Sequence, residues 1–421
     1  MTAAKPFAIP KRLVYEAFEA VKANAGSAGV DKETIEDFEK DLKGNLYRVW
    51  NRMSSGSYFP PPVRAVAIPK KSGGKRILGV PTVADRVAQM VVKTILEPAL
   101  ERIFLPDSYG YRPGKSALDA IEITRKRCWQ YDWVLEFDIK GLFDNIAHDL
   151  LLRALHKHTE CKWIRLYVRR WLTVPLQLAD GTRVERTRGT PQGGVVSPGL
   201  ANLFLHYTFD VWMTRTFPGV LWCRYADDAL IHCKTEAQAH AIKAALAERL
   251  AECGLEMHPD KTHVVYCRDG SRKGKYPNTK FDFLGYTFRP RVVKNRKRNS
   301  MFVSFTPAVS ASALKTMRAT TRQLNYRNRT DMSLQDIARL HNPVLRGWME
   351  YYGRFYPSAL YPVLKHFDDT LTAWAMRKYK RLKGHKTRAS RFVARIAERQ
   401  PDLFAHWHRR KMTRPRLMGA V

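Results

Sequence analysis

Acidic residues are scarce in this 421-residue chain: 39 Asp and Glu stand against 73 Lys and Arg, a net charge of +34. A field of that size attracts a polyanion and excludes an acidic scaffold. Six cysteines, at 128, 161, 223, 233, 253 and 267, include no CxxC pair and no matching His pair. This argues against a zinc site or a disulfide framework and for reduced thiols in a cytosol. The N-terminus lacks an apolar signal core. Residues 189–209 are free of charge for 21 residues, but Pro191, Gln192, Pro198, Asn202 and His206 within them exclude a membrane span. No repeat of 20–50 residues and no low-complexity tract occurs. What remains is an ordinary globular balance, 45% hydrophobic and 11% aromatic, long enough for two to four domains. Together these point to a folded nucleic-acid binder with no membrane partner.

The charge is uneven. Residues 291–421 hold 29 Lys and Arg against 7 Asp and Glu, which is +22 of the +34. A domain boundary is therefore expected near 290. Before it, apolar spacing predicts helices over 83–103, 116–129, 149–171, 198–217 and 236–253. Short strands are predicted over 133–137, 221–225, 229–233, 262–267 and 281–288, with a hairpin signal at Asp180-Gly181. Beyond 307 the pattern is helical, with breaks at Pro343, Pro357, Gly384 and Pro401.

Two sites put acids where an apolar strand stops. Val134-Leu135-Glu136-Phe137 ends on Asp138, and Asp227-Asp228 turns between two apolar strands. Adjacent acids repel, and a hairpin tip favours Asn-Gly or Asp-Gly instead. A divalent cation is the usual compensation, since Mg²⁺ takes carboxylate oxygens and keeps positions open for water or phosphate. If the two sites meet, three carboxylates can hold two ions about 4 Å apart and clamp an in-line phosphoryl displacement. An isolated Asp-Asp is more often a solvated turn. The apolar strands, the preceding Tyr225 and the basic chain reverse that reading here.

At these residues the chain resembles reverse transcriptases. Phe137-Asp138-Ile139-Lys140-Gly141-Leu142-Phe143-Asp144 is similar to the family's first catalytic motif and Tyr225-Ala226-Asp227-Asp228 to its second. Thr190-Pro191-Gln192-Gly193-Gly194 resembles the nucleotide-pocket loop, and Phe283-Leu284-Gly285-Tyr286 the primer grip, all in the family's order. Residues 21–31 resemble the N-terminal extension of bacterial group II intron-encoded proteins, and residues 342–352 their maturase (thumb) domain. The resemblance implies an α/β right-hand polymerase, with fingers and palm built on a small antiparallel sheet flanked by helices. An all-α thumb/maturase domain and a short basic C-terminal segment would follow. The expected divisions are 1–35 for the extension, 36–290 for fingers and palm, 291–383 for the maturase domain and 384–421 for a DNA-binding segment.

Carried over residue by residue, Asp138, Asp227 and Asp228 become the ligands of two Mg²⁺ ions, joined by the Ile139 carbonyl. Phe143 becomes the ring that collides with a 2′-OH, although a core Phe would look the same. Gln192 lies in a loop whose glycines let the backbone approach the incoming dNTP. Lys70 and Arg76, in a basic hairpin over 68–76, become triphosphate contacts, and a solvated basic loop would look alike. Lys261 matches the lysine beside the leaving pyrophosphate, a general acid. Leu284 and Gly285 become the primer grip. Arg377, Lys378, Lys380 and Arg381 close the maturase-like region as an RNA-docking cluster.

Other features are set aside. Residues 110–116 look like a P-loop but have three residues between the glycines instead of four, and read as a loop entering a helix. His406-Trp407-His408 reads as a nucleic-acid-facing aromatic patch. No cysteine follows 267, so the HNH nuclease domain of the longest relatives is not expected. The resemblance thus implies an RNA-directed DNA polymerase and splicing maturase in a ribonucleoprotein with group II intron RNA. It would be cytoplasmic and nucleoid-associated, acting on target DNA with a primer from elsewhere, such as the host replication machinery. A splicing-only maturase and a domesticated reverse transcriptase in defence or spacer acquisition are the alternatives.

Overall fold

In the computed structural model, which describes residues 5–69, 73–295 and 298–408, the chain forms two units. Residues up to Thr124 with Trp133–Val264 make the first, and Arg125–Asp132 with the chain from Val265 onward the second.

In the first unit the strands are β1 (Val63–Pro69), β2 (Lys75–Val80), β3 (Trp133–Asp138), β4 (Leu176–Gln177), β5 (Arg183–Val184), β6 (Leu221–Tyr225) and β7 (Asp228–Cys233), and the division falls within β8 (His263–Tyr266). They form two four-stranded sheets, ordered β2-β1-β4-β5 and β6-β7-β3-β8. In the second sheet β3 is apolar until its acids because it is packed against helices. Phe137 meets Phe209 with ring centroids 5.3 Å apart, and the helix Glu236–Glu252 packs Ala239, Ile242, Leu246 and Leu250 at helical spacing. Each such aliphatic side chain contributes about 2 kcal/mol on burial, so a charge at Leu246 would break the seam. Thr235 caps that helix by accepting from the Gln238 N–H. The expected hairpins are present: β1 pairs antiparallel with β2, and β4 with β5 across Asp180-Gly181.

Three elements differ from the sequence reading. The helix expected over 149–171 is two, His148–His158 and Lys162–Leu172, because Arg165 turns back to donate to the Thr159 and His156 carbonyls and closes the first. The helix expected over 198–217 contains a π-helical turn, His206–Asp210. Residues 289–309 carry no clear alternation, yet β10 (Tyr286–Asn295) and β11 (Ser300–Val309) pair over ten residues. The far half of that hairpin is largely exposed, which hides the period-two signal.

This hairpin, with β9 (Phe281–Phe283), is the sheet of the second unit, ordered β11-β10-β9. Four longer helices follow, Ala311–Gln323, Leu334–Tyr352, Tyr361–Lys378 and Lys386–Arg399, sharing one core around Ile337, Leu345, Phe367, Leu371 and Trp374. Ser333 and Asp336 form a capping box at the second. Pro343 does not break that helix. The Asn342 side chain donates to the Leu403 carbonyl and accepts from the Ala405 N–H, pinning the segment where proline removes a hydrogen bond. Residues 384–408 pack Ala389, Val393, Phe404 and Trp407 into the same core. His406 and Trp407 face inward, each bonded to Asp368 at 3.0 Å, which corrects their reading as a nucleic-acid-facing patch. Among the described residues no helix is long and apolar enough to cross a membrane.

Candidate active site

Antiparallel register brings the three acids together. Asp138, the last residue of β3, lies directly opposite Asp228, the first of β7. Tyr225 also pairs with Asp228, so Ala226 and Asp227 are the two turn residues of the β6–β7 hairpin. Ala226 takes φ 57°, a left-handed conformation that costs a non-glycine residue about 1 kcal/mol. Two features hold it there. Gly110 lies against the turn so closely that a Cβ on it would stand 2.5 Å from the Ala226 nitrogen. Arg224, buried just before the turn, donates to the Ala226 carbonyl at 3.1 Å while its fork grips Asp210 with two bonds of 2.7 Å.

The acids repel one another and their surroundings resist charge. The Asp228 carboxyl is pushed up to about 7 by the protein packed around it and then by Asp227 and Asp138, although part of the residue reaches solvent. Asp227 is raised by burial and by Asp138, with Arg76 and Lys261 opposing. The relieving charge is Lys261, in the 3₁₀ turn Pro259–Lys261, whose Nζ donates to Asp138 Oδ2 at 2.5 Å. That hydrogen bond, ahead of the other causes, raises the lysine above its ordinary value.

Among the described residues no group of three or more His, Cys, Asp or Glu side chains is gathered tightly enough to hold a metal ion as it stands. The donor chemistry nevertheless fits a hard divalent cation: hard oxygen donors, carboxyls raised by burial and then by their acidic neighbours, and an ammonium already drawn to them. Ile139 fits too. The bridge between Ile139 and Met257 uses the Asp138 carbonyl and the Lys140 N–H, leaving the Ile139 carbonyl outside it.

Beside the acids, Phe143 is buried in the short helix Leu142–Asn145, edge-on to Tyr111 at 6.4 Å. Gln192 donates to Asp144 at 3.0 Å, and its own backbone carbonyl accepts from the Gly79 N–H at 2.9 Å. Gly193 is at φ 123°, and a Cβ there would come within 2.8 Å of the Gly79 carbonyl oxygen, so only glycine fits. Next to Gln192 lies a cavity of about 280 Å³, lined by Ile77, Gly79, Asp144, Arg186 and Arg188 among others. Arg76 is on β2, where Asp227 and Tyr111 both feel its charge. Lys70 lies outside the described residues.

The description Reverse transcriptase (RNA-dependent DNA polymerase) matches residues 68–288, a little over half of the chain. The chain belongs to the reverse transcriptase family. A second description, Group II intron, maturase-specific domain, matches residues 314–393. Protein YkfC of Escherichia coli (strain K12) is 30% identical over 314 residues, 65% of this chain and 78% of that protein. The Group II intron-encoded protein LtrA of Lactococcus lactis subsp. cremoris is 32% identical over 197 residues, 46% of this chain and 32% of that protein. An uncharacterised 91 kDa protein in the cob intron of Schizosaccharomyces pombe is 26% identical over 422 residues, 83% of this chain and 50% of that protein. The chain thus matches most of the first relative but half or less of the other two. It is a reverse transcriptase with a group II intron maturase domain, and its enzymatic activity is RNA-directed DNA polymerisation.

In this reverse transcriptase Asp138, Ile139, Phe143, Gln192, Asp227, Asp228 and Lys261 all fall in the first unit, as does Arg76. Leu284 and Gly285 belong to the second, where both have positive φ in the two-residue turn between β9 and β10. The Leu284 carbonyl accepts from the Tyr351 hydroxyl at 2.8 Å and the Gly285 carbonyl from the Ser310 N–H at 2.9 Å, fixing that turn within its unit. Of the basic cluster, Arg377, Lys380 and Arg381 are exposed. Lys378 instead donates to the Thr330 and Met332 carbonyls at 3.0 and 2.7 Å, which makes it part of the fold.

Three site residues escape a reading by motif. Tyr111 stands at φ 58° with its ring half-exposed, edge-on to Phe143, and burial together with the Asp227 charge raises its hydroxyl. Gly110 precedes it. Neither follows from reading this segment as a loop entering a helix. Its cations are structural: Arg112 pairs with Glu101 at 2.8 Å, and Lys115 donates to the Pro106 carbonyl. The third is Asp210, whose partner Arg224 adjoins the turn while Asp210 itself sits in the unforeseen π-helix.

Proposed function

We propose that this reverse transcriptase serves a mobile group II intron, binding the intron RNA as a ribonucleoprotein, assisting its splicing and copying it into DNA at a target site. The observation that carries the polymerase half is the register that sets Asp138 opposite Asp228 with Lys261 against them. The maturase-specific match over 314–393, in the more basic part of the chain, supports the splicing half.

Asp138, Asp227, Asp228 and the Ile139 carbonyl would hold two Mg²⁺ ions, which when bound supply Lewis-acid stabilisation of the charge developing on phosphate. The protein's own groups do the rest. Phe143 lies under the sugar and excludes a 2′-OH. The loop at Gln192 and Gly193 seats the dNTP, and Arg76 neutralises triphosphate oxygens. As the primer 3′-hydroxyl gives its proton to solvent water and its oxygen bonds to the α-phosphorus, the bond to pyrophosphate breaks. Lys261 then gives its proton to the leaving oxygen. Exposed Arg377, Lys380 and Arg381 supply phosphate contacts to intron RNA. The primer must come from elsewhere, such as the host replication machinery.

The test is the double variant Asp227→Asn/Asp228→Asn. Incorporation of dNTP should be lost by several orders of magnitude, while intron RNA binding and assisted splicing persist. Primer extension at the wild-type rate would overturn the assignment.

A further inference from the structure

The loop at Gln192 is held from behind by a buried pair outside the four short motifs that carry the resemblance. The helix Val83–Glu101 starts at its cap Thr82 and carries Asp85 and Gln89 one turn apart on the same face. Both are almost fully buried, at 1% and 2% exposure. Asp85 Oδ1 accepts from the Tyr58 hydroxyl at 2.9 Å and from the Trp171 indole N–H at 2.7 Å. Its Oδ2 accepts from the Gln89 side-chain NH₂ at 2.9 Å. Gln89 Oε1, on the other side, accepts from the backbone N–H of Val195 at 2.7 Å and of Val196 at 3.4 Å. These are the residues that follow Gln192-Gly193-Gly194, and a Cβ on Gly194 would sit 3.2 Å from the same Oε1.

An amide can be placed either way round, so its direction must be imposed. A carboxylate only accepts, and a backbone N–H only donates. Asp85 faces three side-chain donors and Gln89 faces two loop donors. The only orientation that satisfies all of them points the Gln89 NH₂ at Asp85 and its oxygen at the loop. Burial raises the Asp85 carboxyl to about 6 against the pull of those three donors, so at pH 7 and above it is the acceptor this requires.

We propose that Asp85 and Gln89 are positioning residues of the polymerase, Asp85 fixing the direction of the Gln89 amide and Gln89 thereby fixing the 192–196 loop against the incoming nucleotide. The inference rests on reading that loop as part of the dNTP pocket. It adds where the loop's position comes from: two side chains that reach no substrate.

The chemistry predicts a reciprocal rescue. Asp85→Asn places a donor before the Gln89 NH₂, or forces the amide round so that its NH₂ faces two N–H groups. Gln89→Glu sets two carboxylates face to face in a buried site. In Asp85→Asn/Gln89→Glu every bond can form again. The amide oxygen introduced at position 85 accepts from Tyr58 and Trp171, and the amide NH₂ beside it donates to the carboxylate introduced at position 89. That carboxylate in turn accepts from the Val195 and Val196 N–H groups. One negative charge is retained.

The experiment is steady-state single-nucleotide primer extension on the full chain, with dNTP KM and kcat, primer–template affinity and thermal unfolding measured for both single variants and the double. Each single variant should raise the dNTP KM about tenfold, the scale of one lost buried hydrogen bond, with kcat and primer–template affinity little changed. The double variant should return KM to within about threefold of wild type. Folded single variants with wild-type KM overturn the proposal, as does a folded double variant with no recovery. If a single variant fails to fold, Gln89→Met, which removes the acceptor without adding charge, carries the same KM expectation. Gln192→Ala separates the two levels of argument. If it leaves the dNTP KM unchanged, the reading of the loop as nucleotide pocket fails; if it raises KM while the Asp85 and Gln89 variants do not, only the positioning role fails.

Discussion

Asp138 and Asp228 face each other across the β3–β7 ladder, a like-charged cross-strand pair of the kind that sheets ordinarily avoid. The opposition persists because each side has another use for its charge: Asp138 holds Lys261, and Asp228 begins the strand that the strained Ala226 turn delivers.

Lys261 is therefore expected to act in the reaction as well as in the resting charge balance. Lys261→Met should slow nucleotide incorporation by about 100-fold or more, within the range of a lost general acid, with primer–template affinity preserved. Rapid-quench kinetics at saturating dNTP measures this directly. A wild-type rate would leave the ammonium a counter-charge only.

Phe143 is buried and edge-on to Tyr111. Phe143→Ala should raise the ratio of rNTP to dNTP incorporation by at least about tenfold, the scale of one steric discrimination. Tyr111→Ala removes the ring's neighbour and should move the ratio in the same direction by less. Unchanged ribonucleotide use in Phe143→Ala identifies the ring as packing alone.

The Arg224–Asp210 pair is buried, at 1% and 0% side-chain exposure. Arg224→Met leaves Asp210 without its bidentate partner and should cost about 3–5 kcal/mol of stability, read by chemical denaturation. Arg224→Met/Asp210→Leu should recover much of that loss. A single variant within about 1 kcal/mol of wild type contradicts the pairing.

His341 is fully buried, stacked on Phe367 at 4.2 Å between Tyr326 and Trp348. Burial, and then the charge of His406, lowers it from 6.5 to about 4. With the folded value below the unfolded one, the unfolded chain binds the proton first, so stability is whole above pH 6.5 and drains as pH falls toward 4. The full contribution is about 3 kcal/mol. His341→Phe should remove this acid limb, so the variant gains on wild type as pH drops across that window. Parallel stability–pH curves for the two proteins would refute it.

Arg377→Gln/Lys380→Gln/Arg381→Gln should weaken intron RNA binding and lower its salt slope by about two to three units. Lys378 is left in place because it closes two carbonyls of the fold. Binding titrations over a range of salt give both quantities, and an unchanged slope would make these three side chains a solvated helix end.

The acids were legible because carboxylates interrupt apolar strands; the 190–194 loop and Lys261 were singled out only through the resemblance, since a glycine turn and a surface lysine look the same without it. Asp85 and Gln89 were not, since on an amphipathic helix a buried polar pair looks like any other polar spacing until its partners, from residues 58 to 196, are in place. The β10–β11 hairpin was hidden by exposure of its far half, and the depth of His406 and Trp407 by the absence of any local cue to their shared partner Asp368. Pro343 misled in the opposite direction, because packing outweighed a strong local signal.

The second unit begins with a loan from the first part of the chain. Trp129 donates its indole N–H to the Phe305 carbonyl, and Arg272 donates to the Cys128 and Tyr131 carbonyls. On the ribosome, Arg125–Asp132 emerge well before those partners, since Val265 follows Asp132 by 133 residues. At about 5–20 residues per second this is a delay of roughly seven to thirty seconds. For that interval the segment has only immature company, and the second unit cannot close until translation is far advanced. A fragment beginning at Val265 would be born without one of its own edges.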